Sequence, residues 1–226
     1  MKATILSVSS AQSGLELVTG LNSEAAREAS NVRQPAKRVF DFVGASALLV
    51  VAAPIMAAVA VGVRATSDGP ALFRQARLTE GGKVFMLIKF RSMRLDAEQQ
   101  CGAVFACDGD ARVTTLGRFL RKTRLDELPQ LFNVLKGEMS LIGPRPERPE
   151  IARDLSAQIR GFHRRLRAKA GLTGLAQVIQ GYPDDLAGYR RKLGLDLLYI
   201  RRRSLLLDLW IAAKTVGVVV TGSGAR

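Results

Sequence analysis

The pattern of apolar and polar positions divides the chain into three parts. Residues 1–36 are polar and lack a clear period, so we expect a flexible N-terminal tail. Residues 42–63 contain no charged side chain, and as a helix these 22 residues would be about 33 Å long, enough to cross a bilayer core. Residues 67–226 carry shorter apolar stretches between charged ones, as a folded domain does.

Two features of residues 37–66 favour a membrane helix that enters and leaves on one side. Lys37 and Arg38 precede the uncharged stretch and Arg64 follows it, and basic flanks prefer the cytoplasmic face. Pro54, near the middle, removes one backbone hydrogen bond and kinks a helix. A re-entrant helix bent at Pro54 fits both features better than a straight spanning helix, and a buried helix of a soluble domain is the third alternative.

The rest of the chain predicts a mixed α/β fold that is mostly helical and has one small β-hairpin. Residues 71–77 and 83–90 are short apolar stretches, and Thr79-Glu80-Gly81-Gly82 between them is typical of a turn. Gly137 is a suitable C-cap, and helical patterns cover residues 116–125, 128–135 and 149–169.

The C-terminal stretch has two interpretations. Residues 204–220 are largely apolar and follow Arg201-Arg202-Arg203. A basic start followed by Leu205, Leu209 and Trp210 predicts an amphipathic helix that lies in the membrane interface. A helix that faces the protein core explains the same pattern equally well.

Composition narrows the classes of function. The apolar fraction of 47% excludes a disordered chain. Cys101 and Cys107 are the only cysteines, in residues 98–112, which we expect to form a loop, and the N-terminus does not resemble a signal peptide. A disulfide-stapled secreted module is therefore excluded. Because His163 is the only histidine, a Cys/His zinc site and His-dependent nucleophilic catalysis are disfavoured.

The net charge of +14 is concentrated in the second half of the chain. Residues 1–111 hold 12 Lys and Arg against 10 Asp and Glu, whereas residues 112–226 hold 22 against 10. This half therefore favours an anionic partner, which is nucleic acid, a phosphorylated small molecule or an anionic membrane. Nucleic acid is disfavoured because aromatic residues make up only 6% and do not alternate with the basic clusters.

Asp126-Glu127 is the strongest candidate for chemistry, because it directly follows the basic residues Arg121 and Arg124. One carboxylate is a candidate nucleophile toward a phosphoryl group, and the other is a candidate Mg²⁺ ligand. The simpler alternative is local: Thr123 and Asp126 resemble a capping box, in which an acid only stabilises the start of a helix.

Arg145 adds weight to the chemical interpretation. Pro144 and Pro146 restrict its backbone, and a guanidinium matches a phosphate through two parallel hydrogen bonds. A loop made so rigid around one cation indicates a fixed anion. Lys89 and Arg91, at the end of the predicted hairpin, are further candidate phosphate contacts, although a solvated strand end explains them as well.

Several motifs occur here in the order found in one family. The chain from about Lys37 to its C-terminus resembles the bacterial sugar transferases, which are monotopic polyprenyl-phosphate phosphoglycosyl transferases. The motifs that carry this resemblance are KRVFD at residues 37–41, GPALFRQ at 69–75, KFRSM at 89–93, LDELPQLFNVLKG at 125–137, MSLIGPRPE at 139–147 and GLTGLAQV at 171–178.

The resemblance implies a specific reaction. Such enzymes transfer a sugar-1-phosphate from a UDP-sugar to undecaprenyl phosphate and release UMP, which initiates synthesis of an exopolysaccharide or another surface glycan. Asp126 would attack the β-phosphate to form a covalent phosphosugar intermediate, and Glu127 would assist with Mg²⁺, which the Asp126-Glu127 pair would hold. The family positions associated with substrate phosphates or the active site fall at Lys89, Arg121 and Arg145. Asp196 lies in another family motif, without an assigned role.

The resemblance also implies a location. Residues 37–66 would form a re-entrant helix broken at Pro54, and residues 67–226 a catalytic domain on the cytoplasmic face of the inner membrane. Larger members carry further membrane helices and a domain ahead of this part, for which we expect this chain to lack the length. The identity of the sugar and the oligomeric state, including a homo-oligomer, stay open. A non-catalytic membrane scaffold that binds anionic lipids or glycan precursors is the alternative function, although it would not need a nucleophile.

Overall fold

The structure is a computed structural model that describes residues 35–95, 97, 110–181, 183 and 185–221. Residues 1–34 of the tail predicted for residues 1–36 and most of the loop predicted for residues 98–112, with both cysteines, therefore lie outside the described residues, whereas Pro35 and Ala36 begin a helix. The elements in chain order are α1 (Pro35–Thr66), β1 (Leu72–Leu78), β2 (Val84–Phe90), α2 (Thr115–Lys122), α3 (Gln130–Lys136), β3 (Ser140–Ile142), α4 (Pro149–Gln158), β4 (Gly171–Thr173), α5 (Leu175–Ile179), α6 (Leu186–Arg202) and α7 (Leu205–Thr221).

Two small sheets accompany the helices. Strands β1 and β2 pair antiparallel from Leu72 opposite Phe90 to Leu78 opposite Val84, and this confirms the predicted hairpin. Strands β3 and β4 pair parallel, with Ser140 opposite Gly171, and sequence analysis did not predict them. Three residues are too few to show the alternation that marks a strand.

One of the predicted helices is divided in the structure, whereas the predicted cap at Gly137 is present. The helix expected over residues 149–169 is wrong as a single element, because α4 ends at Gln158 and a separate 3₁₀ segment covers Phe162–Arg167. Gly161 between them has a φ of 78°, a left-handed conformation that interrupts an α-helix. Gly137 caps the end of α3 with a φ of 83°, as predicted.

The start of α1 is held by the domain that follows it. The Arg38 guanidinium donates 2.6 Å hydrogen bonds to the carbonyl oxygens of Val134 and Leu135, at the end of α3. Asp41 is buried, and its Oδ1 accepts from Ser140 Oγ at 2.9 Å and from Leu141 N at 3.0 Å. Arg38 thus binds carbonyl oxygens at the C-terminal end of α3, where a positive charge is favourable, and Asp41 satisfies an N–H of β3.

One stripe of α1 packs against the domain along almost the whole helix. Ala45, Ala52 and Val63 are buried, and the partly buried residues Leu49, Met56 and Val59 fall between them at helical spacing. Val63 joins a core cluster with Phe90 and Leu120. The opposite side is apolar and open, with Val50 77% and Val51 73% exposed. Among the described residues, α1 is the one helix long and apolar enough to cross a membrane.

Helix α7 combines the two interpretations of the C-terminal stretch. Asp208 and Ile211 are buried on one side, where Asp208 Oδ2 lies 2.9 Å from Lys37 Nζ and Oδ1 accepts from the Tyr199 hydroxyl at 2.9 Å. On the other side Leu206 is 80% exposed and Trp210 44%. The helix therefore faces the core through one stripe and presents an apolar surface on the other.

Candidate active site

The acidic pair lies on a short turn between α2 and α3. Asp126 and Glu127 belong to a 3₁₀ turn, Leu125–Glu127, which β2 contacts from one side. Arg124, just before it, has a φ of 59°, the one positive φ at a non-glycine position among the described residues. Such a conformation costs free energy at a residue with a side chain, so the surrounding structure must hold this turn in place.

The local interpretation of the acidic pair as a capping box is wrong. Thr123 is the C-terminal cap of α2, and its hydroxyl donates to the Phe119 carbonyl oxygen at 2.8 Å, toward the preceding helix. The 3₁₀ turn begins without a side-chain cap. The carboxylates of Asp126 and Glu127 are therefore available for interactions outside their own turn.

Arg145 binds the Glu127 carboxylate through both terminal nitrogens of its guanidinium. Nη1 donates to Glu127 Oε2 at 3.1 Å, and Nη2 makes a second, parallel hydrogen bond to Oε1. This is the two-pronged geometry by which arginine binds carboxylates and phosphates. The pair joins two segments that are 18 residues apart in the chain.

The environment of Asp126 makes its carboxylate less acidic than usual. Asp126 is 7% exposed, and burial, followed by the negative charge of Glu127, raises its pKa to about 6. The positive charges of Lys89, Arg145 and Arg121 oppose this rise. Burial likewise lowers the pKa of Lys89 to about 8, against the attraction of Asp126. Burial thus shifts both groups toward their neutral forms, and the attraction between them limits both shifts.

The pKa of Glu127 is shifted in the opposite direction, below its usual value. Its burial favours the neutral form, but the charge and hydrogen bonds of Arg145, with help from Arg124 and Lys89, outweigh burial and lower its pKa. Two adjacent acids therefore differ in basicity. The more basic carboxylate belongs to Asp126, as suits a nucleophile, while Glu127 stays ionised as the partner of Arg145.

These residues form what we call the site cluster. Its two acids interact with four cations, so positive charge is in surplus among its named members. The members are Lys89, Arg121, Arg124, Asp126, Glu127 and Arg145. Lys89, Arg121 and Arg145, which sequence analysis singled out, all act on Asp126.

The Arg91 side chain does not belong to the site cluster but binds the segment between α1 and β1. Its Nη2 donates at 2.9 Å to both the carbonyl and hydroxyl oxygens of Ser67, and its Nη1 donates to the Asp68 carbonyl oxygen. The side chain thus fastens the segment between α1 and β1. The phosphate contact predicted for Arg91 stays a prediction.

A second group of charges lies behind the Arg145 loop, and we call it the supporting cluster. It consists of Glu147, Arg165, Lys192 and Asp196, all of them less than 9% exposed. Arg165 Nε donates to Asp196 Oδ2 at 2.9 Å, Arg165 Nη1 lies 3.5 Å from Glu147 Oε1, and Lys192 Nζ pairs with that same oxygen. Sequence analysis noted Asp196 and missed the other three. The available signal was Lys192 and Asp196, a Lys/Asp pair four residues apart on a helix.

The donor set at the site fits a hard divalent ion bound together with a phosphorylated ligand. No group of three or more His, Cys, Asp or Glu side chains suited to a metal occurs among the described residues. Two carboxylates alone are a typical protein share of a Mg²⁺ site, because Mg²⁺ keeps several waters and takes its other ligands from substrate phosphates. A closed all-protein metal site is thus not what this arrangement offers.

A sequence model for the family described as bacterial sugar transferase matches residues 32–222. This chain belongs to that family. It is 45% identical over 190 residues to the UDP-N-acetylgalactosamine-undecaprenyl-phosphate N-acetylgalactosaminephosphotransferase of Aeromonas hydrophila, covering 84% of this chain and 45% of the relative. It is 42% identical over 191 residues to the UDP-glucose:undecaprenyl-phosphate glucose-1-phosphate transferase of Caulobacter vibrioides, covering 84% of this chain and 71% of the relative.

Within the bacterial sugar transferase family, length and named sugar vary between the matched relatives. A UDP-glucose:undecaprenyl-phosphate glucose-1-phosphate transferase of Klebsiella pneumoniae is 43% identical over 182 residues, which cover 80% of this chain and 39% of that protein. The chain thus spans less than half the length of the Aeromonas and Klebsiella relatives. Since the names of the relatives include both N-acetylgalactosamine and glucose, family membership leaves the sugar undetermined.

Proposed function

We propose that this protein transfers a sugar-1-phosphate from a UDP-sugar to undecaprenyl phosphate and releases UMP, as an initiating step of exopolysaccharide or other surface glycan synthesis. The observation that carries the proposal is the buried Asp126 carboxylate beside Glu127 and Arg145 in a cluster of positive surplus. Both substrates are phosphorylated, and phosphoryl transfer depends on positioning and charge neutralisation more than on proton transfer.

Asp126 is the proposed nucleophile. One of its carboxylate oxygens attacks the β-phosphorus of the donor, the bond from that phosphorus to the oxygen bridging to the α-phosphate breaks, and UMP leaves with this oxygen. A phosphate oxygen of undecaprenyl phosphate then attacks the same phosphorus, and the Asp126 carboxylate is released. Lys89, Arg121 and Arg145 neutralise the charge of the phosphates, and Arg145 keeps Glu127 ionised and oriented.

Mg²⁺ is the proposed cofactor. Asp126 and Glu127 would hold it, and when bound it supplies positive charge that neutralises the diphosphate of the donor. The residues of the chain orient the two carboxylates. Arg145 orients Glu127 through two hydrogen bonds. The left-handed backbone conformation of Arg124 sets the position of Asp126, two residues later.

We further propose that α1 is re-entrant, bent at Pro54, on the cytoplasmic face of the inner membrane. Support comes from the stripe between Asp41 and Val63, because one domain covers both ends of the helix. A straight spanning helix would carry its second end away to the other face. With Ala36→Cys or Thr66→Cys in a Cys101→Ser, Cys107→Ser background, a membrane-impermeant thiol reagent should label either position only from the cytoplasmic side. Labelling of one position from the periplasm would contradict the re-entrant topology.

The decisive experiment is UMP release by the full chain in nanodiscs, with Mg²⁺ and a panel of UDP-sugars. Without undecaprenyl phosphate, a covalent intermediate predicts about one UMP per protein and a phosphosugar adduct on Asp126 by mass spectrometry. With the acceptor, turnover should continue. Asp126→Asn should lose both the adduct and turnover, by at least about 10³-fold, whereas Asp154→Asn, at an exposed position on α4, should not.

The outcomes separate the alternatives. Robust turnover with acceptor but neither an adduct nor a burst without it would contradict the covalent route and favour direct displacement. Binding of UDP-sugars by folded protein without UMP release from any donor would favour the non-catalytic scaffold.

A further inference from the structure

The loop that carries Arg145 is held through its main chain. Pro144 and Pro146 have no N–H, so the main chain of these two residues can form hydrogen bonds only through its carbonyl oxygens. The Pro144 oxygen accepts from Gly171 N at 2.9 Å, and the Glu147 oxygen accepts from Leu78 N at 3.0 Å. The strand β4 and the end of β1 therefore grip the loop from its two ends.

Arginine side chains bind the two carbonyls between these ends. The Arg145 oxygen accepts from Arg165 Nη2 at 2.7 Å, and the Pro146 oxygen accepts from Arg77 Nη1 at 3.1 Å. Four consecutive carbonyl oxygens, at residues 144–147, thus each have a donor, and two of these donors come from adjacent residues of β1. The backbone of Arg145 is fixed directly by Arg165.

Arg165 is in turn oriented by Asp196. Their side chains are 3% and 2% exposed, and Asp196 Oδ2 lies 2.9 Å from both Arg165 Nε and Nη2. Nη2 therefore joins the Asp196 carboxylate and the Arg145 carbonyl oxygen. Glu147 and Lys192 complete the charge balance around Arg165, so the supporting cluster holds two acids and two bases. A buried charge with this many partners has little freedom to move.

We propose that Arg165 and Asp196 are positioning residues for the phosphoryl transfer, acting through the main chain of Arg145 on the Arg145–Glu127 pair. Neither side chain needs to touch substrate. A shift of the loop by a fraction of an ångström would weaken the two hydrogen bonds from Arg145 to Glu127 and displace the charges around Asp126. This inference rests on the proposed function, and it assigns a task to Asp196, which family resemblance left without one.

The test is a double-mutant cycle on UMP release. Asp196→Asn should lower kcat by about 10²-fold with little change in KM, because it disturbs positioning rather than donor binding. In an Arg145→Lys background, where the two-pronged grip on Glu127 is already lost, Asp196→Asn should lower kcat less than about threefold further. Full multiplication of the two effects would overturn the proposal, since a merely structural role would act independently of Arg145.

Asp208→Asn is the matched control, because Asp208 is as buried as Asp196 and pairs with Lys37 rather than with Arg165. The fold-loss in kcat caused by Asp208→Asn should be the same in the wild-type and the Arg145→Lys backgrounds. If Asp196→Asn does not fold, Arg165→Lys replaces it, because a lysine keeps the charge but cannot contact both Asp196 and the Arg145 carbonyl oxygen.

Amide hydrogen exchange tests the same inference without activity. In Asp196→Asn the amides of Leu78 and Gly171, which donate to the loop, should lose protection, while those in the middle of α6 keep theirs. Unchanged protection at Leu78 and Gly171 would overturn the inference. If the wild-type protein released no UMP from any donor, the proposed function would fail, and hydrogen exchange would still decide whether Asp196 holds the loop.

Discussion

The site cluster and the supporting cluster lie on either side of one loop, yet their charges are arranged differently. The supporting cluster pairs two acids with two bases, all buried, and its members contact one another. The site cluster sets two acids against four cations, and Arg145 and Glu127 within it keep 22% and 15% of their side-chain surface exposed. The supporting cluster holds equal numbers of acids and bases, whereas the named members of the site cluster include more cations than acids.

This difference shows how buried charge is divided between support and chemistry. A balanced buried network contributes little net stability compared with an apolar core, but removal of one member is costly. An unbalanced cluster raises the free energy of the ligand-free protein and binds an anion correspondingly more tightly. Loss of a member of the supporting cluster should therefore destabilise the protein, whereas neutralising Asp126 in the site cluster should stabilise it, because burial disfavours the ionised Asp126 carboxylate.

The largest expected effect on stability comes from the supporting cluster. Arg165→Met leaves Glu147 and Asp196 buried with less positive charge, and should lower the free energy of unfolding by about 3–5 kcal/mol. Thermal unfolding followed by circular dichroism measures this loss. Arg164→Met, one residue earlier and exposed, should stay within about 0.5 kcal/mol of wild type. Equal losses in both variants would contradict the role of the network.

In the site cluster, substitution of Asp126 should have the opposite effect on the free energy of unfolding. Without metal, Asp126→Asn should stabilise the protein by about 1–3 kcal/mol at pH 7.5, because ionising the buried carboxyl costs free energy that an amide does not. The pKa of Asp126 is raised from 3.8 to about 6, so this cost is absent below pH 4 and complete above pH 6. The gain should therefore disappear as the pH is lowered through this range, as melting curves with a chelator would show.

Glu127→Gln provides the matched comparison. Its pKa is lowered by Arg145, so its ionised form stabilises the folded state, and this stabilisation is lost as the pH falls through the native pKa. Glu127→Gln should accordingly lower the melting temperature at pH 7.5. A lower melting temperature for Asp126→Asn as well would mean that Asp126 contributes to folding instead of opposing it.

Sequence patterns predicted the parts of the site that are local. The hairpin follows from two short apolar stretches around a turn that ends in Gly-Gly, and the rigid presentation of Arg145 follows from its two prolines. The parallel pairing of Ser140 with Gly171 could not be predicted, because the strands are three residues long and 31 positions apart.

The supporting cluster escaped sequence analysis for a related reason. Glu147, Arg165, Lys192 and Asp196 come from three separate segments, and each alone looks like an ordinary surface charge of a basic domain. Only the packing of α6 against the segment at Phe162–Arg167 makes them one network. The roles of Asp126 and Glu127 as nucleophile and Mg²⁺ partner came from family resemblance, whereas the residues by themselves left the capping alternative open.

The smallest expected effect separates the two basic residues at the end of β2. Arg91→Lys should cost about 1 kcal/mol of stability, because a lysine cannot donate to Ser67 and Asp68 as the guanidinium does, and the KM for the donor should not change. Lys89→Met should raise that KM, because Lys89 acts directly on Asp126 in the site cluster. A higher KM in Arg91→Lys without loss of stability would instead make Arg91 the phosphate ligand that its position in the sequence suggests, and the site cluster would then extend past the end of β2.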